Sequence, residues 1–401
     1  MPWKQTDAME ERIRYVVRAE RRSNSLSELS AEFGIHRTTG WRWRKRLDQI
    51  GRIEDLSEHS RRPYRSPNQT SAEVQLRILE LRQKYGWGAL KLRVLLEREG
   101  QTVSVATINR VLARNGAIRP EDSHRPAFQR FERSAPNQLW QMDFKGVKEP
   151  MGARHGTIYP LSILDDHSRF LVGLFALRDP NGELTLQSLR RVFEPYGLPE
   201  AMLMDHGTPW WSTSNGHGLT HLTVALMKQG IRLYFSGIRH PQTQGKVERL
   251  HRTMQQAMER DMNGEGFPGW EVWTERFRQE YNQVRPHQAL AMAVPAQRYQ
   301  PSQRVYRDNP PPWEYESGAE VRRLNSKGCV KYRSQRYFVC EALAGEEVAV
   351  ETLQERILVR YRQTYVREIE VETGRTWPLV IPHRAGSAAG SALRSPRPVS
   401  T

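Results

Sequence analysis

The chain has 401 residues and a mass of 46.7 kDa, too long for one small module and long enough for several domains with at least one large core. Lys plus Arg number 61 against 45 Asp plus Glu, leaving a formal charge of +16 and a pI near 10.0, which points to a polyanionic partner. Mean hydropathy is −0.72 and no stretch approaches the ~18 apolar residues of a membrane-spanning helix, so a membrane protein is not expected.

In residues 1–65, Leu26, Leu29, Phe33 and Ile35 recur at helical spacing and are interrupted at Gly34. This predicts helix, turn, helix, with Ser25 or Ser27 capping the first helix. The following segment, 36–47, carries five basic residues between Arg37 and Arg46 and no acid. It is the helix expected to meet DNA, through Arg37, Thr38, Thr39, Arg42, Trp43, Arg44, Lys45 and Arg46. A merely solvated basic face is the plainer alternative, but turn chemistry, apolar spacing and charge coincide here. Residues 66–120 read as a second helix-turn-helix-like block: Val74, Ile78 and Leu81 form one stripe, and Ile108, Val111 and Leu112 another. Asn109, Arg110 and Arg114 fall opposite the second stripe as candidate DNA contacts; a purely structural helical hairpin is the alternative reading.

Residues 121–136 are predicted to be a basic linker that can follow a phosphate backbone. Strand-like and helix-like runs then alternate over 137–300, which argues for a layered α/β domain. Residues 301–317 are a Pro-rich linker, and 318–375 are short strands separated by turn residues, predicted as a small β-barrel. Residues 384–401, rich in Ser, Ala, Gly and Pro, are expected to be disordered. The fold class is therefore multidomain: all-α at the N-terminus, α/β at the centre, a small β-barrel at the C-terminus. Cys329 and Cys340 are the only cysteines, too few for a disulfide framework or a four-thiolate zinc module. The N-terminus lacks a secretory signal pattern, and a cytoplasmic, nucleoid-associated location of bacterial type is expected.

Three acids stand out. Strand alternation in 138–145 places Trp140, Met142 and Phe144 on one face and Asp143 on the other, where a mid-strand carboxylate requires a partner or a metal. Asp205 ends a continuous apolar strand, at the carboxyl edge where α/β sheets bind ligands. Glu248 opens a helix whose Val247, Leu250 and Met254 would face the sheet, with Lys246, Arg249 and Arg252 around it to take phosphates. Three convergent acids repel, and divalent cations relieve that repulsion; two Mg²⁺ can clamp the oxygens of an in-line phosphoryl displacement. Asp165 and Asp166 read instead as a turn between strands. His217 and His221 have zinc-like spacing without the accompanying Glu. No phosphate-cradling loop or nucleophile elbow occurs, so no nucleotide cofactor is expected.

The ordered set Trp140-Gln141-Met142-Asp143-Phe144, Leu164-Asp165-Asp166-His167-Ser168-Arg169, Asp205-His206-Gly207, Pro241-Gln242-Thr243-Gln244-Gly245-Lys246-Val247-Glu248-Arg249 and Tyr281-Asn282-Gln283-Val284-Arg285-Pro286-His287 resembles the integrase-core family of insertion-sequence transposases. The resemblance implies a ribonuclease-H-like domain with an Asp, Asp, Glu triad at Asp143, Asp205 and Glu248. It also implies N-terminal helix-turn-helix modules and a C-terminal β-domain. The expected activity is that of a DDE-type DNA transposase: it binds the terminal inverted repeats of its element and performs 3′-end cleavage and strand transfer. Two Mg²⁺ ions would serve it, with Mn²⁺ as a substitute, in a homo-oligomer on double-stranded DNA; the β-domain and the helix bearing Trp270 and Trp273 are the expected contacts between subunits. Two departures are His206, where many relatives have Asn, and a long interval of 42 residues between Asp205 and Glu248, absorbed by a loop at 210–218. A non-catalytic DNA-binding protein and a hydrolytic nuclease of the same fold are the competing readings.

Overall fold

A computed structural model describes residues 8–21, 25–50, 70–118, 132–146, 158–213, 218–236, 245–262 and 268–382. The predicted disordered tail at 384–401, most of the basic linker and His217 lie outside them. The chain divides into two compact units, Met1–Thr70 and Ser71–Thr401.

The first unit holds α1 (Ala8–Glu20), α2 (Leu26–Glu32) and α3 (Arg37–Ile50). Ser25 caps α2 through a reciprocal box with Glu28, and Gly34 takes the left-handed φ of 63° that the turn demands. Tyr15, Val16, Ala19 and Leu29 form a small core with Phe33, Ile35, Trp43 and Leu47 against it. Gly40 lets α3 cross this core closely: a Cβ there would lie 1.9 Å from Tyr15 Oη and 2.7 Å from Ser30 Oγ. Tyr15 is buried and bonded to Ser30 Oγ at 3.1 Å, so it has little room to yield. Gly40→Ala gains about 1 kcal/mol in helix propensity, yet overpacking of ~1–3 kcal/mol should outweigh it. Hydrogen exchange is expected to accelerate across α1–α3 and to stay unchanged in residues 71–401.

The second unit begins with α4 (Ala72–Tyr85), α5 (Ala89–Arg98) and α6 (Val105–Arg114). Ile78, Leu81, Ile108, Val111 and Leu112 are buried together as their spacing predicts; of the stripe expected on α5 from Leu90, Val94 and Leu95, only Leu95 is fully buried, Leu90 is 42% exposed, and Leu92 and Leu96 take the core face instead. Next come β1 (Trp140–Phe144), β2 (Tyr159–Asp165), β3 (Leu171–Leu177), α7 (Gly182–Tyr196), β4 (Ala201–Met204), β5 (Trp211–Ser212), β6 (Gly218–Leu219), α8 (His221–Lys228), β7 (Arg232–Phe235), α9 (Gly245–Met262) and α10 (Trp270–Gln279). The main sheet has the order β3-β2-β1-β4-β7: β1 to β3 form an antiparallel meander, and β4 and β7 run parallel to β1. This is the ribonuclease-H-like arrangement expected. Because side chains alternate along strands, Ile163 and Val172 enter the layer shared with α7 and α8, while Leu164 and Leu171 enter the layer formed by α9 and α10.

Two expectations are corrected. Trp270 and Trp273 lie in the core, 9% and 1% exposed, and the Trp273 indole donates to Asp261 Oδ2 at 2.9 Å, so the indoles themselves do not form an outward face of α10. The C-terminal strands, β8 (Val321–Arg323), β9 (Cys329–Tyr332), β10 (Gln335–Phe338), β11 (Glu347–Leu353), β12 (Arg356–Tyr361), β13 (Thr364–Glu370) and β14 (Thr376–Pro382), do not close a barrel. They form an open antiparallel sheet, β14-β13-β12-β11-β8, beside a β9-β10 hairpin. Irregularities at Val359/Arg360 and Tyr365/Arg367 bend the sheet, but β8 is only three exposed residues long and pairs with β11 alone among the described strands.

The β-domain is docked rather than tethered. Leu222, Leu226 and Met227 of α8 share one apolar cluster with Val330, Val339, Leu343 and Val348. Lys228 pairs with Glu346 at 2.7 Å, and Arg362 donates to Lys228 O at 2.6 Å. The Pro-rich segment is itself strapped to the core: Leu198 N donates to Arg304 O at 2.7 Å, Ser302 N to Tyr196 O at 2.8 Å, and Tyr299 stacks on Phe170 at 4.3 Å. No described helix is long and apolar enough to cross a membrane.

Candidate active site

Asp143 sits near the end of β1 and is paired in register with Ser162 of β2. The parallel register of Trp140 with Met202 and Gln141 with Leu203 carries Asp205, the residue after β4, toward the same edge. Asp205 is held by its own turn: its Oδ1 accepts from Gly207 N at 2.9 Å and from Trp210 Nε1 at 2.7 Å. Trp210 is 1% exposed and stacks on Phe144 at 5.1 Å, so the donor is fixed by packing on the strand that bears Asp143.

Glu248 lies in the first turn of α9, exposed. Val247, Leu250 and Met254 bury against the sheet, as the spacing predicts. One turn on, His251 Nδ1 lies 3.8 Å from Asp143 Oδ2 while its Nε2 bonds Ser162 Oγ at 3.1 Å. A further turn on, Gln255 accepts from Lys145 Nζ. Thus α9 presents Glu248, His251 and Gln255 along β1.

Burial is the main force on Asp143, raising it to about 7; the nearby Asp205 adds to the rise, as does Glu248 to a lesser degree, while a backbone bond at Phe144 opposes it. His251 is lowered to about 4 by burial and by Lys145, so at neutral pH it is uncharged and supplies no counter-ion. An all-carboxylate oxygen set under mutual repulsion fits a hard divalent cation. Among the described residues no three His, Cys, Asp or Glu side chains already surround a common point.

The folded Asp143 is raised from its ordinary 3.8 to about 7, so its stabilising contribution is full below 3.8 and is lost as pH rises through 7. Without divalent cations, Tm should fall across that window more in the wild type than in Asp143→Asn. A saturating divalent cation should flatten the decline.

Other predicted site residues separate into available and committed ones. Arg37, Thr38, Arg42 and Lys45 are exposed on α3, with Thr39, Arg44 and Arg46 half-buried. Trp43 is turned into the small core, where Arg12 and Arg46 lie over its ring at 4.3 and 5.3 Å. Trp41, which the basic run concealed, is 50% exposed with Lys45 Nζ 4.8 Å over it. Asn109, Arg110 and Arg114 are exposed on α6. Arg249 and Arg252 are exposed on α9, whereas Lys246 points inward to Asp166 Oδ1 at 2.6 Å. Asp165 and Asp166 are fully buried turn acids: the former accepts from Ser168 and Asn137, the latter from Gln141 and Arg133. His206 packs between Trp211 and Phe235, at 4.8 and 5.4 Å. His251 and Trp210 were invisible to motif reading; only the i, i+3 spacing of Glu248 and His251 hinted at the former.

Two family profiles, each described as Integrase core domain, match residues 133–241 and 229–295. A third, described as Homeodomain-like domain, matches 39–112 and so begins within α3 and ends within α6. Over 145 residues the chain is 29% identical to the transposase for transposon Tn552 of Staphylococcus aureus, a match covering 33% of this chain. The chain spans only 29% of the length of that curated relative. It is 22% identical over 244 residues to the insertion element IS407 uncharacterized 31.7 kDa protein of Burkholderia multivorans, covering 58% of this chain and 82% of that protein. Among solved structures, the simian T-cell lymphotropic virus intasome in complex with PP2A regulatory subunit B56 gamma aligns over 76% of this chain and 100% of that chain, with 14% identity and a TM-score of 0.37.

Proposed function

We propose that this chain, a member of the integrase-core family, is a DNA transposase that binds the terminal inverted repeats of its own element and joins their 3′ ends to target DNA. Asp143, Asp205 and Glu248 would hold two Mg²⁺ ions, or Mn²⁺ in their place. When bound, such ions supply activation of an attacking hydroxyl and neutralisation of the leaving oxygen at phosphorus. The residues around them set the geometry. Trp210 and the Gly207 amide orient Asp205 by two hydrogen bonds, and neutral His251 spaces α9 from β1 without competing as a cation. The exposure of Glu248 leaves its side chain able to turn toward the other two carboxylates.

Exposed Arg37, Thr38, Arg42 and Lys45 on α3 and Asn109, Arg110 and Arg114 on α6 are the residues for DNA: phosphate contacts set register and a few side chains read bases. Arg249 and Arg252 flank the acids. Since two element ends meet one target, the working form is a homo-oligomer assembled on DNA.

The observation that carries this reading is the placement of Asp143 on β1, Asp205 just after the adjacent parallel β4 and Glu248 in the first turn of the helix whose His251 reaches Asp143, three carboxylates far apart in sequence. The test is incubation of the full chain with a labelled element end, target duplex and Mg²⁺. Joined product that disappears with chelator is expected. Tight binding without nicking would instead make the protein a non-catalytic binder, and nicked ends never joined would make it a nuclease.

A further inference from the structure

A second group of cations lies where the second helical block meets the α/β domain. Trp87, between α4 and α5 and 5% exposed, has two cations over its ring: Lys91 Nζ of α5 at 6.0 Å and Arg285 Cζ at 5.4 Å. The junction is fixed, because Arg98 donates to Val284 O at 3.2 Å and Val284 packs on the apolar core of α4–α6. Arg285 itself makes one long bond, to Thr253 Oγ1 of α9 at 3.4 Å. Next to it, His287 stacks edge-on to Tyr281 at 4.7 Å and keeps a buried Nε2 with no partner.

Among the described residues neither Lys91 nor Arg285 forms an ion pair with a carboxylate. The carboxylate that acts most on Arg285 is Glu280, after the Tyr281 phenol, and burial raises Glu280 above its ordinary range. Burial, then Arg285, then Arg249 of α9 bring Lys91 down to about 7. Cations crowded together and withdrawn from water oppose folding unless an anion joins them. A fold that keeps such a cluster at a fixed junction has built a receptor for one.

We propose that Lys91 and Arg285, which share the Trp87 ring, together hold a backbone phosphate of double-stranded DNA beside α9. That the polyanion is DNA rests on the transposase reading; the anion site itself rests on the cluster.

The test uses the full chain with Lys91→Met and Arg285→Gln, binding a random-sequence duplex over a salt series on the acid side of neutrality, where Lys91 is charged. Each variant should lower the slope of log K against log salt by ~0.9, uniformly across sequences. Lys91→Met should also raise Tm, because it removes a buried like charge, whereas a structural lysine would lower Tm when lost. An unchanged slope in both variants overturns the proposal. If those variants still join ends, the transposase reading stands without the phosphate site; if the slope falls while the wild type joins nothing, the site stands and that reading fails.

Discussion

Asp205→Asn is expected to lower metal-dependent strand joining by ~10³-fold or more while leaving duplex binding within about twofold of wild type. Asparagine keeps the volume and the side-chain oxygen that accepts from Trp210 Nε1 and Gly207 N, so the turn after β4 should persist. What disappears is one negative charge at the site. The same loss removes the larger of the two neighbouring charges acting on Asp143, so in chelator above pH 7 the variant should melt higher than wild type. A catalytic defect accompanied by a gain in metal-free stability separates loss of a ligand from misfolding. Joining at the wild-type rate would remove Asp205 from the site.

Gly328→Ala should give the largest loss of stability. Gly328 has φ +72°, and a Cβ there would lie 2.0 Å from Cys340 O and 2.5 Å from Cys340 C. Both partners are backbone, and Gly328 O also accepts from Val339 N and Cys340 N at 2.9 and 3.1 Å, so neither side can retreat without breaking the β9-β10 junction. Left-handed strain and overpacking together cost about 3 kcal/mol or more. The same segment docks the β-domain, with Cys340 Sγ on Leu219 O at 3.4 Å. Because one apolar cluster spans that domain and α8, the main unfolding transition should drop as a whole, by roughly 5 °C or more. Gly345→Ala, with similar φ and nothing within 4 Å, is the control and should cost only about 1 kcal/mol.

The elements that sequence made legible are those whose register one periodicity decides. Val247, Leu250 and Met254 placed α9 correctly because i, i+3 and i+7 admit a single buried face, and the apolar run of β4 put Asp205 at a strand tip. The buried turn at Asp165 and Asp166 followed from its turn chemistry. Failures came where tertiary contacts decide: Trp43 in a basic run turned inward because α3 needed an apolar anchor against Tyr15 and Val16, and Lys246 turned inward to pair with the fully buried Asp166 carboxylate. The tryptophans of α10 show the same limit, since an aromatic pair at helical spacing does not say whether it faces a core or a partner. Barrel closure was equally beyond the sequence, because short strands with turns fit open and closed sheets alike. His251, which lies 3.8 Å from Asp143, and Trp210, which bonds Asp205, belong to no motif and emerged only from packing.

The most direct measurement is anomalous scattering from Mn²⁺ in crystals of the full chain bound to an element end. Mn²⁺ peaks within coordination distance of Asp143, Asp205 and Glu248 oxygens are expected, and are expected to be lost in Glu248→Gln. Well-ordered DNA at the site with no manganese between these carboxylates, or manganese held without Glu248, would contradict it.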